Sequence, residues 1–143
     1  VKNQIIGQGV CEDMQVMYYD TDAGGVVHNI VYLRFIEYAR TKLAIALGMD
    51  FEVIRKTEIH PVVVRTEIDY RRPAILGDMV RIEGGVLSVA GARFEVGFEV
   101  TRPADQAVLA TCKQWLALVQ MPQGKVVRLP KGFPESAGLS PAG

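Results

Sequence analysis

The sequence is short of every feature that would tie it to a membrane, a polyanion or an oxidising compartment. Its 16 basic and 16 acidic residues cancel, so no net field draws it to nucleic acid or an anionic bilayer, and any polyanion site must be local. No apolar run approaches membrane-spanning length, and Val1 to Val10 carries Lys2 but no apolar signal-peptide core. Cysteine is scarce. Cys11 and Cys112 are the only two; they lie in apparent strands, without C-x-x-C spacing, and read as reduced, buried thiols of a cytoplasmic protein, a single disulfide being the alternative. No metal cluster, cofactor motif, internal repeat or linker stands out. The 143 residues read as one domain over 1–143, with 122–143 a Gly/Pro/Ser-bearing extension that frays at its end. A chain of this size buries roughly two thirds of its unfolded surface and needs no staples.

Proline and glycine are also absent from Ile30 to Leu47, and that absence defines the organising element. Eighteen residues without a breaker are too many for a strand, and the polar positions hold Arg, Glu and Lys rather than β-branched residues, so the stretch is expected to be a helix about 27 Å long. Asn29 is the expected N-cap and Gly48 the residue past the end. Arg34, Glu37 and Thr41 form one polar stripe, while Ile30, Tyr32, Leu33, Phe35, Ile36, Leu43, Ala44 and Leu47 cover most of the rest; such a helix is expected to be wrapped by other structure.

Around it the pattern changes to period two. Gly9 to Tyr19 suits a strand ending in the acidic turn Asp20-Thr21-Asp22, and Met49 to Thr57 suits a short helix started by Asp50. Pro61 to Arg72 alternates most clearly, with Val62, Val64, Thr66, Ile68 and Tyr70 on the expected core face. Met79 to Val89 is a strand with a bulge or bend expected at Gly84-Gly85. Arg93 to Arg102 and Gln106 to Met121 complete two hairpins, and Val126 to Leu129 a short extension. One early helix followed by antiparallel strands is an α+β pattern, and a long helix inside a curled antiparallel sheet is the hot-dog architecture. Unpaired strand edges make pairing with a second copy, as a homodimer or homotetramer, the expectation.

Three chemical readings compete with a plain polar turn at Asp20-Thr21-Asp22. A calcium loop would need a carboxylate at its twelfth position, which is Val31. An Asp-x-Asp phosphatase would follow a parallel, continuously apolar strand within a chain of βαβ units, which is not the pattern here. The third is a carboxylate beside a helix N-terminus, where free N–H groups hold a developing oxyanion while the acid attacks or activates water; acyl transfer to water needs both parts.

Tyr18-Tyr19-Asp20-Thr21-Asp22-Ala23-Gly24-Gly25-Val26-Val27, then Tyr32 and Ile36-Glu37-Tyr38-Ala39-Arg40, together with Tyr70-Arg71-Arg72-Pro73-Ala74, Gly77-Asp78 and Leu129-Pro130, resemble the hot-dog acyl-CoA thioesterases of the 4-hydroxybenzoyl-CoA thioesterase type. The resemblance is strongest to the bacterial branch associated with the Tol-Pal gene cluster and covers about Val10 to Pro130. It implies hydrolysis of an acyl-CoA substrate without cofactor or metal. It places Asp22 as nucleophile or general base, the Asn29 main-chain N–H as the group that polarises the thioester carbonyl, and Gly25 at the turn. Relatives often carry His where this chain has Asn29, with His28 one place earlier, which makes His28 a candidate to face substrate. Glu37 either belongs to the site or pairs with Arg34 or Arg40. Tyr32, Arg65 and Arg93 are the substrate-binding candidates; Lys56, Arg71 and Arg72 are substitutes for the basic turn that the family uses for the CoA phosphates and that this chain lacks around Val89 to Ala92. An acyl carrier protein thioester as substrate, or acyl-thioester binding without turnover, are the alternatives, because the fold alone does not confer catalysis.

Overall fold

The computed structural model describes residues 2–129; the tail from Pro130 to Gly143 lies outside them, and with it the expectation of fraying. The elements run β1 (Val10–Gln15), α1 (Asn29–Ala46), α2 (Phe51–Thr57), β2 (Ile59–Tyr70), β3 (Met79–Ala90), β4 (Arg93–Arg102), β5 (Ala107–Gln120) and β6 (Lys125–Val127), with 3₁₀ turns at Lys2–Gln4 and Tyr18–Asp20. All pairings are antiparallel, in the order β1-β3-β4-β5-β2, and β6 pairs with the end of β5. α1 packs on β1, β3 and β4, and Phe35, Ile36 and Ala39 meet Ile82, Phe98, Val100 and Leu109 in a dry core. This is the hot-dog fold, α+β as the patterning implied.

α1 starts one residue earlier than expected because its cap is His28, not Asn29: the Ile30 N–H donates to His28 Nδ1 at 3.2 Å. Gly48, at φ 92°, takes the left-handed conformation past the C-cap residue, Leu47, where a side chain would be strained. Nor is the helix enclosed all round. Ile30 is 63% exposed and Tyr38 42%, because one sheet covers only one face, and a second apolar face is left uncovered.

Two strand details differ from the sequence pattern. In β2 the register shifts between Val63 and Arg65; the extra residue reverses the parity, so Val62 and Val64 are exposed and Val63 turns inward, while Thr66, Ile68 and Tyr70 keep the helix side. In β3 the irregularity falls between Val86 and Ser88 rather than at the glycine pair. Gly84 and Gly85 are instead where neighbours come too close for a Cβ, against the Phe98 ring and Ile5 respectively. Cys112 is buried, and its thiol is pushed up to about 11 by burial, whereas Cys11, expected to be buried, is exposed. Both are free.

Candidate active site

The chain leaving β1 makes a miniature hairpin before it enters α1. The His28 N–H donates to the Asp20 carbonyl at 3.0 Å and the Asp22 N–H to the Val26 carbonyl at 2.9 Å, with Thr21 bridged to Val27. Gly25 closes the turn at φ 77°, its N–H on the Asp22 carbonyl at 3.0 Å, a conformation that favours glycine.

The two acids of the hairpin have opposite environments. Asp20 is 2% exposed; its Oδ2 accepts from the Met17 N–H at 2.9 Å and its Oδ1 from the Arg34 guanidinium. Every feature of Asp20 is structural, joining the 3₁₀ turn to the first turns of α1. Asp22 is exposed. Its Oδ1 accepts from the Gly24 N–H at 2.8 Å, which orients the carboxylate, and its Oδ2 has no partner among the described residues.

At the start of α1 the Ile30 N–H is taken by His28 and the Val31 N–H by the His28 carbonyl. The Asn29 N–H has no partner among the described residues and sits at the positive end of an eighteen-residue helix. Because His28 Nδ1 accepts, the neutral ring carries its proton on Nε2.

A second loop, Pro73 to Asp78, supports this hairpin. The Val27 N–H donates to the Ala74 carbonyl at 2.9 Å, Val26 bridges to Ile75, and the Ala74 N–H donates to Tyr32 Oη at 3.0 Å. Arg102, at the end of β4, holds the loop from behind by donating to the Pro73 carbonyl at 3.2 Å and to Asp78 Oδ2 at 2.9 Å. Its other edge grips Asp105, whose carboxyl is held down to about 2 by that guanidinium. Between hairpin, helix start and loop lies a depression of about 280 Å³ lined by Val27, Asn29, Tyr32, Tyr70, Arg71 and Arg72. Tyr70 Oη donates to the Asn29 carbonyl at 3.0 Å and fixes the far wall to the helix. The hairpin thus carries an exposed carboxylate at its tip and leads at its base to an unpartnered helix N–H, while Asn29, Arg71 and Arg72, and not Asp22, line the depression itself. A carboxylate and a helix N–H are the two parts that attack on a polarised carbonyl needs.

Residues 16–136 match the thioesterase-like superfamily. The chain belongs to that family: it is a hot-dog thioesterase. It is 33% identical over 128 residues to the acyl-CoA thioesterase YbgC of Haemophilus influenzae, covering 89% of this chain and 93% of that one. A probable thioesterase from Bartonella henselae is similar in structure, with TM-score 0.79 and 28% identity over 86% of this chain and 100% of that one. The 1,4-dihydroxy-2-naphthoyl-CoA thioesterase of Synechocystis shares the fold, with TM-score 0.80 at 21% identity over 91% and 96% of the two chains.

Within this thioesterase, Asp22 and Gly25 stand at the tip of the hairpin and His28 and Asn29 at its base, where α1 begins; Asn29 and, one turn further on, Tyr32 line the depression. Tyr32 is 3% exposed and spends its oxygen on Ala74, so it meets the depression with its ring. Glu37 lies two turns away, exposed and 3.8 Å from Arg40. Arg65 stands on the sheet face opposite α1, paired with Glu67 and stacked 4.3 Å over Trp115, so it does not reach the site of its own chain. Arg93 begins β4 opposite Ala117, at the other end of the sheet from Tyr70. Arg71 and Arg72 are the cations beside the helix start. Sequence reasoning missed Arg102 and Arg34 as supports; their partners are 14 to 29 residues away, and no short motif signals such pairs. The structural role of Asp20 was missed because its burial has no signature in an acidic turn.

Proposed function

We propose that this thioesterase hydrolyses acyl-CoA thioesters to free acid and CoA at the N-terminus of α1. Asp22 either draws a proton from the attacking water or attacks the carbonyl itself to form a mixed anhydride that water then hydrolyses. In both routes the Asn29 N–H holds the oxyanion as the C–S bond breaks, and the leaving thiolate is protonated, by Asp22 in the first route and by solvent in the second. The observation that carries this reading is the pairing, on one hydrogen-bonded hairpin, of an exposed carboxylate oxygen and an unpartnered helix N–H. The relative named acyl-CoA thioesterase supports CoA as the carrier. Arg71 and Arg72 supply the local positive charge for its phosphates. The match of Tyr18 to Val27 with the Tol-Pal-associated branch supports placement there, and two free thiols support a cytoplasmic location. No described helix is long and apolar enough to cross a membrane.

Thiol release from a panel of short, long and aromatic acyl-CoAs and from acyl carrier protein thioesters tests the proposal. Turnover of at least one acyl-CoA class, above that of the carrier-protein thioester, is the expected result. Binding of acyl-CoA with no thiol released would favour a non-catalytic acyl-thioester binder instead.

A further inference from the structure

A second cavity lies at the opposite end of α1, and the acyl-CoA reading leaves it unused. It measures about 190 Å³ and is bounded by Leu43, Ala44 and Leu47 of α1, Phe51 and Ile54 of α2, and Phe94 of β4. Glu37, Arg40 and Thr41 stand on the helix side nearest the active site. A dry cavity of ~150 Å³ lined by Leu, Ile and Phe takes a benzene-sized hydrophobe, so this one holds a ring or a short run of methylenes. Its roof is poorly satisfied: α2 buries none of its residues, and Phe51 is 58% exposed although it faces the cavity. An apolar occupant would cover that ring.

The cavity shares a seam with the active site. Asn29, Ile36, Arg40, Leu43 and Leu47 stand at i, i+7, i+11, i+14 and i+18, one stripe of the helix. Side chains of β2 flank the two ends of that stripe: Tyr70 near the strand's end walls the depression and Pro61 near its start walls the cavity. Midway, Arg40 donates to Gln114 Oε1 while Gln114 Nε2 donates to Thr66 at 3.2 Å. This bridge consumes the polar capacity of the seam and leaves the cavity beyond it apolar.

Distance then selects the ligand. Glu37 and Arg40 lie about 12 and 16 Å beyond Asn29 along the helix. A single aromatic acyl group whose carbonyl sits at the Asn29 N–H ends well short of them. An extended chain advances ~1.2 Å per bond, so it reaches the near rim after on the order of ten to thirteen carbons.

We propose that this cavity binds the methyl end of a long, unbranched acyl chain whose thioester lies at the N-terminus of α1, making the protein selective for long aliphatic acyl groups. The proposal rests on the acyl-thioester reading of the first site and adds the substrate class.

The test is the dependence of kcat/KM on chain length, from butanoyl- to hexadecanoyl-CoA, in the wild type, in Ala44→Phe, which fills the cavity from the helix, and in Val89→Phe, which fills it from β3. The wild type is expected to prefer chains longer than about twelve carbons, and each variant to lower the hexadecanoyl-to-butanoyl ratio at least tenfold. A wild-type preference for aromatic or short acyl groups, or an unchanged ratio in a folded variant, would overturn the assignment while leaving hydrolysis at Asp22 intact. Binding of free hexadecanoate, followed by the shift in Tm, needs no turnover. Stabilisation of the wild type with loss in the folded variants would uphold the cavity even if hydrolysis failed, and no stabilisation of the wild type would overturn it.

Discussion

Asp20 and Asp22 are the same residue type two positions apart, and what separates them is burial. Asp20 is enclosed with the Arg34 guanidinium and the Met17 N–H on its oxygens, so Asp20→Asn leaves Arg34 without its counter-charge. Arg34 is half exposed, which tempers the loss, and a destabilisation of about 1–3 kcal/mol by denaturant titration is expected. The cap gives a second residue-scale prediction. His28→Ala removes the Ile30 acceptor and costs about 1 kcal/mol, whereas Asn29→Ala leaves both the cap and the main-chain donor and costs a few tenths. Activity follows the same logic: Asn29→Ala retains near wild-type turnover, and a loss of a hundredfold or more would mean that the Asn29 side chain itself takes part. The sequence pointed to Asn29 as the cap because asparagine is a favoured cap residue, and to the free N–H at the same position because the helix had to begin there. One residue of helix extension separates the two roles, and boundary residues are where local pattern is weakest.

At the scale of elements, the site stands on the Pro73 to Asp78 loop more than on the helix alone. Arg102 holds that loop and Asp105 together, so Arg102→Gln is expected to lower kcat/KM by about ten- to a hundredfold by loosening the hairpin that aims Asp22. The same contact has a pH signature. Asp105 is held down to about 2 in the fold, against ~3.9 in an unfolded chain. Its contribution to stability is therefore present above pH ~4 and is lost as pH falls toward 2. Tm measured from pH 5 to 2 should show a loss in this window that is smaller in Arg102→Gln. Element order, the two hairpins and the α2 cap were legible in the sequence because breaker residues and alternation mark them. The facing of Val62 and Val64 was not, because a bulge beside Val64 reverses parity without changing composition. Nor was the purpose of Gly84-Gly85: a glycine needed for close packing and one needed for a bend look alike in sequence.

For the whole molecule, two surfaces call for a second copy. β2 is a twelve-residue strand at the sheet margin, paired with β5 on one side only among the described residues, and α1 leaves Ile30, Tyr38 and Ile45 exposed. Light scattering at micromolar concentration should give the mass of a dimer or tetramer, and a monomer would refute this reading of the edge. If Asp22, at the front of α1, is the acid of thioester hydrolysis, the thiol-release rates of Asp22→Asn and Asp20→Asn must part, each variant being checked for wild-type circular dichroism. The expected result is a ~100-fold or larger fall in kcat for Asp22→Asn at unchanged Tm, and a lowered Tm with the smaller kinetic loss for Asp20→Asn. Wild-type turnover in folded Asp22→Asn would contradict it.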